Sequence, residues 1–301
     1  MSQATTTRIC GAASELVTPF SAKGEVMLDR VADEVSFLAA RGVTGVMVNG
    51  FASEALAMSE RERESVARAA KGSAPAGLPI IGTVIAGSTQ EAIGWVRRYE
   101  ALGFDLVAVA TPTLYPFGSR LMGDYVKAVA RASELPVIVY NSPEAGNKLT
   151  PETVADIAEA CDNVIGYKDS TQNLIELQTL ISLVGDDRLA IMSGSDALTV
   201  PIMFLGGVGV ISLITAVFPE LIIDMCSAAT VGNWTEAKRL QLKTLRVRSA
   251  LKTGPFMAAY KYAARLIGAD LGQSRSPLRE LTPEEASQVR AALQAEGLVP
   301  A

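Results

Sequence analysis

A lysine that closes an apolar run is the first residue whose position suggests chemistry. Lys168 follows the run Val164–Tyr167, and the alternation of a strand puts it on the same face as Val164 and Gly166. If that face is buried, loss of water lowers the pKa of the amine from about 10.4. The neutral amine so favoured can attack a carbonyl to form a Schiff base. A lysine paired with a buried carboxylate would occupy the same kind of position, and position alone leaves both interpretations open.

Tyr140 closes the preceding apolar run and is the candidate proton carrier. The chain contains no histidine, which excludes Ser-His-Asp and Cys-His catalysis and HExxH zinc sites. Proton transfer must therefore use Tyr, Lys, Asp, Glu, a hydroxyl or water. Adjacent strands lie about 4.8 Å apart, so the phenol could reach an atom bound to Lys168. Alternatively, the ring packs in the interior and the hydroxyl bonds a backbone carbonyl.

Short β-branched runs alternate with amphipathic helical segments as far as about residue 230. Several runs are apolar on both faces, which is typical of parallel strands covered by helices. Eight such units in series predict an α/β fold, a closed (β/α)₈ TIM barrel, whose functional groups gather at the C-terminal strand ends. The predicted strands are Ala13–Val17, Thr44–Asn49, Pro79–Ile85, Leu106–Thr111, Val137–Tyr140, Val164–Lys168, Leu189–Ser193 and Val208–Ser212.

After Asn233 the strand pattern stops and three helical segments follow. They are predicted at Thr235–Lys252, Phe256–Ile267 and Pro283–Ala295. We therefore predict a barrel over residues 1–232 and a C-terminal helical extension over residues 233–301, packed on the barrel. Among the helix starts, Ser59 and Glu62 have the spacing of a capping box.

Composition limits the partners of the protein. Lys and Arg total 27 against 32 Asp and Glu, for a net charge of −5, with no basic cluster. We therefore expect binding neither to nucleic acid nor to an anionic membrane. The uncharged stretch Ala197–Pro219 is long enough to span a bilayer. Pro201, Gly206 and Gly209 nevertheless break it into a short helix and a strand, so no membrane span is expected.

The cysteines and the start of the chain predict a cytoplasmic location. Cys10, Cys161 and Cys226 are far apart and lack the spacing of a metal site or a disulfide framework. The start, Met1–Arg8, is polar and has no apolar signal core.

An ordered set of motifs resembles one enzyme family. The sequence is similar to the class I Schiff-base pyruvate lyases that include dihydrodipicolinate synthase, N-acetylneuraminate lyase and 2-keto-3-deoxy sugar-acid aldolases. The similarity covers nearly the whole chain, with the motifs in family order. The matching segments are Leu16–Phe20, Asn49–Glu54, Thr111-Pro112, Tyr140–Pro143, Gly166–Ser170, Ser193–Leu198 and Gly206–Ser212.

The resemblance implies a role for each matching residue. Lys168 would form the Schiff base with pyruvate or another 2-oxo acid, and Tyr140 would shuttle protons. Backbone N–H groups around Phe51 and Ala52 would hold the substrate carboxylate, and the carbonyl of Ile211 would lie near the imine. The residues expected to bind substrate are Phe51, Ala52, Ser53, Gly194, Ser195, Asp196 and Ile211. Since lysine itself supplies the electron sink, neither metal nor organic cofactor is expected, and the family resemblance implies a homotetramer built from two dimers.

The chain departs from the family where hydroxyl groups relay protons. It has Phe51 and Ala52 where most relatives have two threonines, and Leu114 where many have a second tyrosine. Only Tyr140 of that relay remains, so water or Ser53 substitutes, the chemistry differs, or the site is catalytically impaired.

The substrate is also expected to differ from those of the best-known members. No arginine follows the turn Tyr140–Pro143, and Glu144 would repel a second carboxylate. Ala197 and Leu213 make the pocket less polar than a sialic acid needs. These features favour aldol cleavage, condensation or dehydration of a 2-keto-3-deoxy sugar acid or a 4-hydroxy-2-oxo acid.

Three alternatives remain: 4-hydroxy-tetrahydrodipicolinate synthase, an impaired barrel that binds 2-oxo acids without turnover, and a phosphate-binding barrel enzyme. The last rests on the glycine-rich segment Gly206–Gly209, which lies at the wrong end of its strand for that role.

Overall fold

A computed structural model describes residues 10–185 and 187–300 of the chain. Parallel strands pair in sequence order, and the last pairs with the first to close a barrel. The predicted (β/α)₈ fold class is confirmed. The strands are β1 (Gly11–Glu15), β2 (Val46–Val48), β3 (Ile80–Val84), β4 (Leu106–Ala110), β5 (Val137–Asn141), β6 (Val164–Asp169), β7 (Ala190–Ser193) and β8 (Gly209–Ser212).

A helix follows each strand and covers the outside of the barrel. These helices are α1 (Leu28–Ala40), α2 (Glu60–Ser73), α3 (Thr89–Ala101), α4 (Ser119–Arg131), α5 (Pro151–Ala160), α6 (Leu174–Val184), α7 (Thr199–Phe204) and α8 (Pro219–Thr230). The capping box predicted from Ser59 and Glu62 is confirmed at the start of α2. The Ser59 hydroxyl accepts the N–H of Glu62, whose carboxylate accepts the N–H of Ser59.

The first strand ends earlier than predicted. It stops at Glu15 rather than Val17, because the N–H of Val17 leaves the ladder and donates to Glu34 Oε1 on α1 at 2.9 Å. Glu15 is therefore the last residue of β1, at the C-terminal end of the barrel.

Gly207 and Gly209, just before and at the start of β8, allow close packing of neighbouring segments. A Cβ at Gly209 would overlap the backbone of Gly11 on β1, and a Cβ at Gly207 would overlap Ile202. These glycines thus let neighbouring segments approach closely. They lie at the start of the strand, away from its C-terminal end, where a barrel holds phosphate.

Three further helices follow the barrel: α9 (Trp234–Leu251), α10 (Ala258–Leu266) and α11 (Pro283–Ala295). They share a hydrophobic core with the barrel, in which Ala12 and Val210 cluster with Val247 of α9 and Val289 of α11. The C-terminal helices are thus packed on the barrel. The division at residues 232 and 233 falls between α8 and α9 and stays a prediction.

The uncharged stretch Ala197–Pro219 forms α7 and β8. In the two described ranges, no helix combines the length and apolar character needed to cross a membrane. Residues 1–9, on which the cytoplasmic location partly rests, lie outside the described residues, and that location stays a prediction.

Candidate active site

A cavity of about 450 Å³ opens at the C-terminal ends of the strands. Side chains from β1, β5, β8 and the loops after β2 and β7 form its barrel side. The segment from α9 to α10 forms the opposite wall. The cavity therefore lies between the barrel mouth and the C-terminal extension.

Lys168 lies inside the barrel, in contact with Glu15 and Tyr140, two residues that line this cavity. Its side chain is 1% exposed, and its neighbours belong to three other strands. Nζ lies 3.3 Å from Glu15 Oε2, 3.3 Å from Met47 Sδ and 4.1 Å from the ring centroid of Tyr140. Tyr140 and Lys168 are direct register partners on β5 and β6. The predicted inward direction of Lys168 and its closeness to Tyr140 are both confirmed.

The expected lowering of the lysine pKa is wrong. Burial does act to lower the pKa of Lys168, but the carboxylate of Glu15 and the phenol of Tyr140 act in the opposite direction and outweigh it, so the pKa is raised. The amine paired with Glu15 is therefore an ammonium ion at neutral pH. The argument from sequence considered burial alone, because it could not identify which carboxylate pairs with the lysine.

Glu15 is that missed partner. It is 5% exposed and lines the cavity. Its Oε2 faces Lys168, and its Oε1 accepts the backbone N–H of Ala52 at 3.0 Å. A Cβ at Gly50 would overlap this carboxylate, so the glycine makes room for it. A signal existed in the sequence, because an acid inside the apolar run Ala13–Val17 stands out as Lys168 does in its own strand.

Tyr140 faces the cavity beside Lys168. Burial raises the pKa of its phenol, and the nearby Lys168 charge only partly offsets this. The phenol is therefore protonated at neutral pH and can donate a proton. The ring centroid of Phe51 lies 6.0 Å from that of Tyr140, so an apolar group packs beside the phenol.

The structure brings together most of the residues predicted to bind substrate. Those that line the cavity are Phe51, Ala52, Gly194, Ser195, Asp196 and Ile211. Ser53 is not among them. Its buried hydroxyl donates to the carbonyl of Leu16 at 2.5 Å and accepts the N–H of Gly50. These bonds fix the turn after β2. Ser53 is therefore not positioned to replace the hydroxyl groups that are missing at Phe51 and Ala52.

Asp196 lines the cavity, and hydrogen bonds from two neighbouring residues fix its position. Its carboxylate accepts a short hydrogen bond from the hydroxyl of Ser212 on β8. Its carbonyl accepts the side-chain amide of Gln241 on α9 at 2.7 Å. Burial raises the pKa of this carboxyl, although the bond from Ser212 opposes the shift.

The extension supplies wall residues that sequence reasoning missed. Arg248 and Lys252 of the α9 end, together with Phe256 and Tyr260, line the cavity. No local pattern in the sequence indicated them, because the fold brings this segment over the barrel mouth from a distance. Arg248 and Lys252 give this wall positive charge. In residues 10–185 and 187–300, no group of three His, Cys, Asp or Glu side chains could hold a metal ion.

Glu144 and Leu114 differ in their relation to the cavity. Glu144 lines the cavity and accepts a hydrogen bond from Ser142. Leu114 is 84% exposed, with a left-handed backbone (φ 81°), and is not part of the cavity wall.

Comparison with known proteins places this site in a family. The model of the dihydrodipicolinate synthetase family matches residues 8–296 of the chain. The chain belongs to the dihydrodipicolinate synthetase family. Members of this family are lyases of the class I aldolase type, and so is this protein.

Individual relatives agree with this assignment. An uncharacterized DapA-like lyase of Halobacterium salinarum is 34% identical over 287 residues, covering 95% of this chain and 92% of the relative. A 4-hydroxy-tetrahydrodipicolinate synthase of Methanospirillum hungatei is 31% identical over 282 residues, covering 92% and 96%. The crystal structure of a chloride-inhibited dihydrodipicolinate synthase from Acinetobacter baumannii, complexed with pyruvate, superimposes with a TM-score of 0.90 at 28% identity. That match covers 97% of this chain and all of the other.

Proposed function

We propose that this family member condenses the amine of Lys168 with the keto group of pyruvate or a related 2-oxo acid. The resulting imine serves aldol cleavage, condensation or dehydration of a 2-keto-3-deoxy sugar acid or a 4-hydroxy-2-oxo acid. The observation that carries the proposal is a buried lysine amine in contact with Glu15 and with the protonated phenol of Tyr140, both of which line a cavity at the barrel mouth.

The chemistry follows from the imine. A protonated imine withdraws electrons from the adjacent carbon, so a C–C bond at that position can break and leave an enamine. The enamine then takes a proton to release pyruvate, or attacks an aldehyde in the reverse direction. Tyr140, with its protonated phenol next to Lys168, is positioned to move protons in these steps.

Two basic residues of the cavity wall support an anionic substrate. Arg248 and Lys252 line the wall of the cavity and attract a carboxylate entering from solvent. Phe51, Leu213 and Phe256 line the same cavity and favour an aldehyde fragment that is partly apolar.

The synthase alternative is disfavoured by the residues after β5. No arginine follows Pro143 within the turn, and Glu144 lines the cavity instead. A carboxylate at this place opposes binding of a substrate that carries a second carboxylate. The impaired-barrel alternative rests on the loss of hydroxyls at Phe51, Ala52 and Leu114.

Turnover assays separate these alternatives. The protein is given a panel of 4-hydroxy-2-oxo acids and 2-keto-3-deoxy sugar acids, and pyruvate release is followed with lactate dehydrogenase, while dehydration is followed by mass spectrometry. In parallel, pyruvate and aspartate semialdehyde are supplied to test the synthase. We expect turnover of at least one panel member and less with aspartate semialdehyde. Faster synthase turnover would reject the substrate assignment, and adduct formation without any turnover would favour the impaired barrel.

A further inference from the structure

We propose that Glu15 is the acid–base residue of this site, taking the proton of Lys168 when a substrate carboxylate displaces it from the amide of Ala52. This inference rests on the proposed function and assigns the proton transfers that its first step requires. Glu15 thereby transfers the protons that the family resemblance assigns to hydroxyl groups.

Glu15 contacts both the amine of Lys168 and the backbone that is expected to bind the substrate carboxylate. One oxygen lies 3.3 Å from Lys168 Nζ, and the other accepts the N–H of Ala52 at 3.0 Å. That N–H belongs to the backbone segment expected to hold the carboxylate of a 2-oxo acid. The carboxylate of Glu15 thus bonds the same N–H that the carboxylate of a 2-oxo acid is expected to use.

Apart from Tyr140, the hydroxyl groups expected to relay protons are missing or bonded elsewhere. Phe51 and Ala52 have no hydroxyl, and the hydroxyl of Ser53 is committed to Leu16 and Gly50. Leu114 has no hydroxyl, and its exposed side chain does not line the cavity. Glu15 is thus the carboxylate in contact with the reacting amine.

Several other charged or titratable groups lie near Glu15 or line the same cavity. Lys168 and Tyr140 are direct neighbours, and Asp196 and Tyr260 lie in the same cavity. Glu144, Arg248 and Lys252 line it farther out. Of these groups, only Lys168 makes an ion pair with Glu15 in the described residues.

Arrival of a substrate carboxylate changes the balance within the Glu15–Lys168 pair. If that carboxylate takes the N–H of Ala52, Glu15 loses a hydrogen bond and gains a like charge beside it. Both changes favour the protonated form of a carboxyl group. The nearest proton is on Lys168, so binding itself converts the ammonium ion into the amine that attacks the keto group.

The step balances within the pair. Lys168 gives one proton to Glu15, and the neutral amine adds to the keto carbon to form a C–N bond. Glu15 and the attacking nitrogen supply the protons with which the keto oxygen leaves as water. The products are a protonated imine on Lys168, a carboxylate on Glu15 and one water molecule, with no net proton gained or lost.

Rapid-quench trapping with borohydride tests this role. The rate at which pyruvate forms a reducible adduct is measured from pH 6 to pH 9 for the native protein and for Glu15→Gln, Glu15→Ala and Glu34→Gln. We expect Glu15→Gln to slow adduct formation by about 10²–10⁴-fold while the adduct still forms in the end. Glu34→Gln is the matched control, since Glu34 is also buried and contacts the end of β1 but does not line the cavity; its rate should be unchanged.

Chemical rescue separates proton transfer from a structural role. Added formate should accelerate adduct formation in Glu15→Ala, where it can occupy the vacated space, and not in Glu15→Gln. A native rate in Glu15→Gln, or failure of formate to rescue a folded Glu15→Ala, would overturn the assignment while leaving the Schiff base intact. A native protein that forms no adduct would overturn the proposed function and this inference together.

A measurement on the native protein covers the case in which the variants do not fold. Calorimetry of pyruvate binding in buffers of different ionisation enthalpy reports the protons exchanged with solvent. We expect none near neutral pH, because the proton moves within the Glu15–Lys168 pair. Uptake of one proton per adduct would show that the amine was already neutral and would overturn the proposal.

Discussion

At the residue scale, Lys168 combines two roles that its sequence position left as alternatives. It pairs with a buried carboxylate, Glu15, and it also lies beside Tyr140, which lines the cavity. The pairing stabilises the charged lysine in the empty protein, since an unpaired charge at 1% exposure would be costly. Reactivity then requires that the pair be disturbed, and a negatively charged substrate can do this.

Removing the hydroxyl of Tyr140 should lower turnover without lowering stability. In Tyr140→Phe we expect turnover of the substrate found in the panel to fall by about 10²–10⁴-fold, because a positioned proton carrier is lost. The ring contacts with Phe51 and Lys168 remain, so stability should change little. Turnover and thermal unfolding are measured together. Tyr125→Phe, also buried but outside the cavity, is the control, and equal turnover in both variants would contradict the role of Tyr140.

Glu34 makes the stability of the fold depend on pH. Burial raises its pKa to about 8, with the N–H of Val17 and the charge of Lys261 opposing the shift. Below pH 4.5 the carboxyl is protonated in both the folded and the unfolded chain. Between its unfolded pKa and pH 8 only the unfolded chain releases the proton, so this group lowers the free energy of unfolding as the pH rises.

The substitution Glu34→Gln keeps the oxygen that accepts the N–H of Val17 and removes the titration. We expect it to stabilise the protein at pH 8 relative to the native chain by on the order of a few kcal/mol, and by less at pH 5. Urea unfolding at several pH values measures this difference. A difference that stays constant between pH 5 and pH 8 would contradict the shifted pKa.

At the element scale, the loop after β2 is held in place by the C-terminal extension. Glu54, which ends the segment Gly50–Glu54, has a left-handed backbone (φ 55°) and pairs with Lys261 of α10 at 2.7 Å. Lys261 Nζ also donates to the carbonyls of Thr18 and Gln273. This buried pair therefore fixes the loop that presents Phe51 and Ala52 to the cavity, and it ties α10 to the barrel.

Breaking this pair should destabilise the protein strongly. Lys261→Met leaves the carboxylate of Glu54 buried without its partner, which typically costs about 3–5 kcal/mol. Replacing both residues in Lys261→Met/Glu54→Gln should cost less than the sum of the single changes, since no charge is then left unpaired. Urea unfolding of the three variants gives the coupling energy. Strict additivity would show that the pair does not act as a unit.

Local patterns account for the elements that could be predicted from sequence. Each predicted strand overlaps a strand of the barrel, and the capping box at Ser59 is present, because alternation and caps depend on nearby residues. The partners of side chains across the barrel could not be obtained this way. Glu15 and Lys168 are 153 residues apart. No local pattern predicts that Ser53 is absent from the cavity wall or that Phe256 is part of it.

At the scale of the whole molecule, the described chain leaves apolar residues exposed near the barrel mouth. Leu114 is 84% and Tyr115 67% exposed, both in the loop after β4. Adjacent exposed apolar side chains commonly mark a contact with another protein. Together with the family resemblance, they support a homotetramer built from two dimers, in which a second copy covers this loop.

Sedimentation velocity tests this assembly. We expect the native protein to sediment as a tetramer, and Leu114→Asp to shift it toward smaller species because a charge would be buried at the contact. Val231→Asp is the control, since Val231 is 78% exposed and follows α8 at the opposite end of the barrel. A native monomer, or equal behaviour of the two variants, would contradict the proposed contact.

The most direct measurement of the central claim is trapping of the imine on Lys168. The protein is incubated with pyruvate, reduced with borohydride, and analysed by intact mass and peptide mapping beside Lys168→Ala. We predict one adduct per chain, equal to pyruvic acid less one oxygen atom, located on the peptide that contains Lys168 and absent from the variant. No adduct on the native protein, or an adduct that persists in Lys168→Ala, would contradict the account.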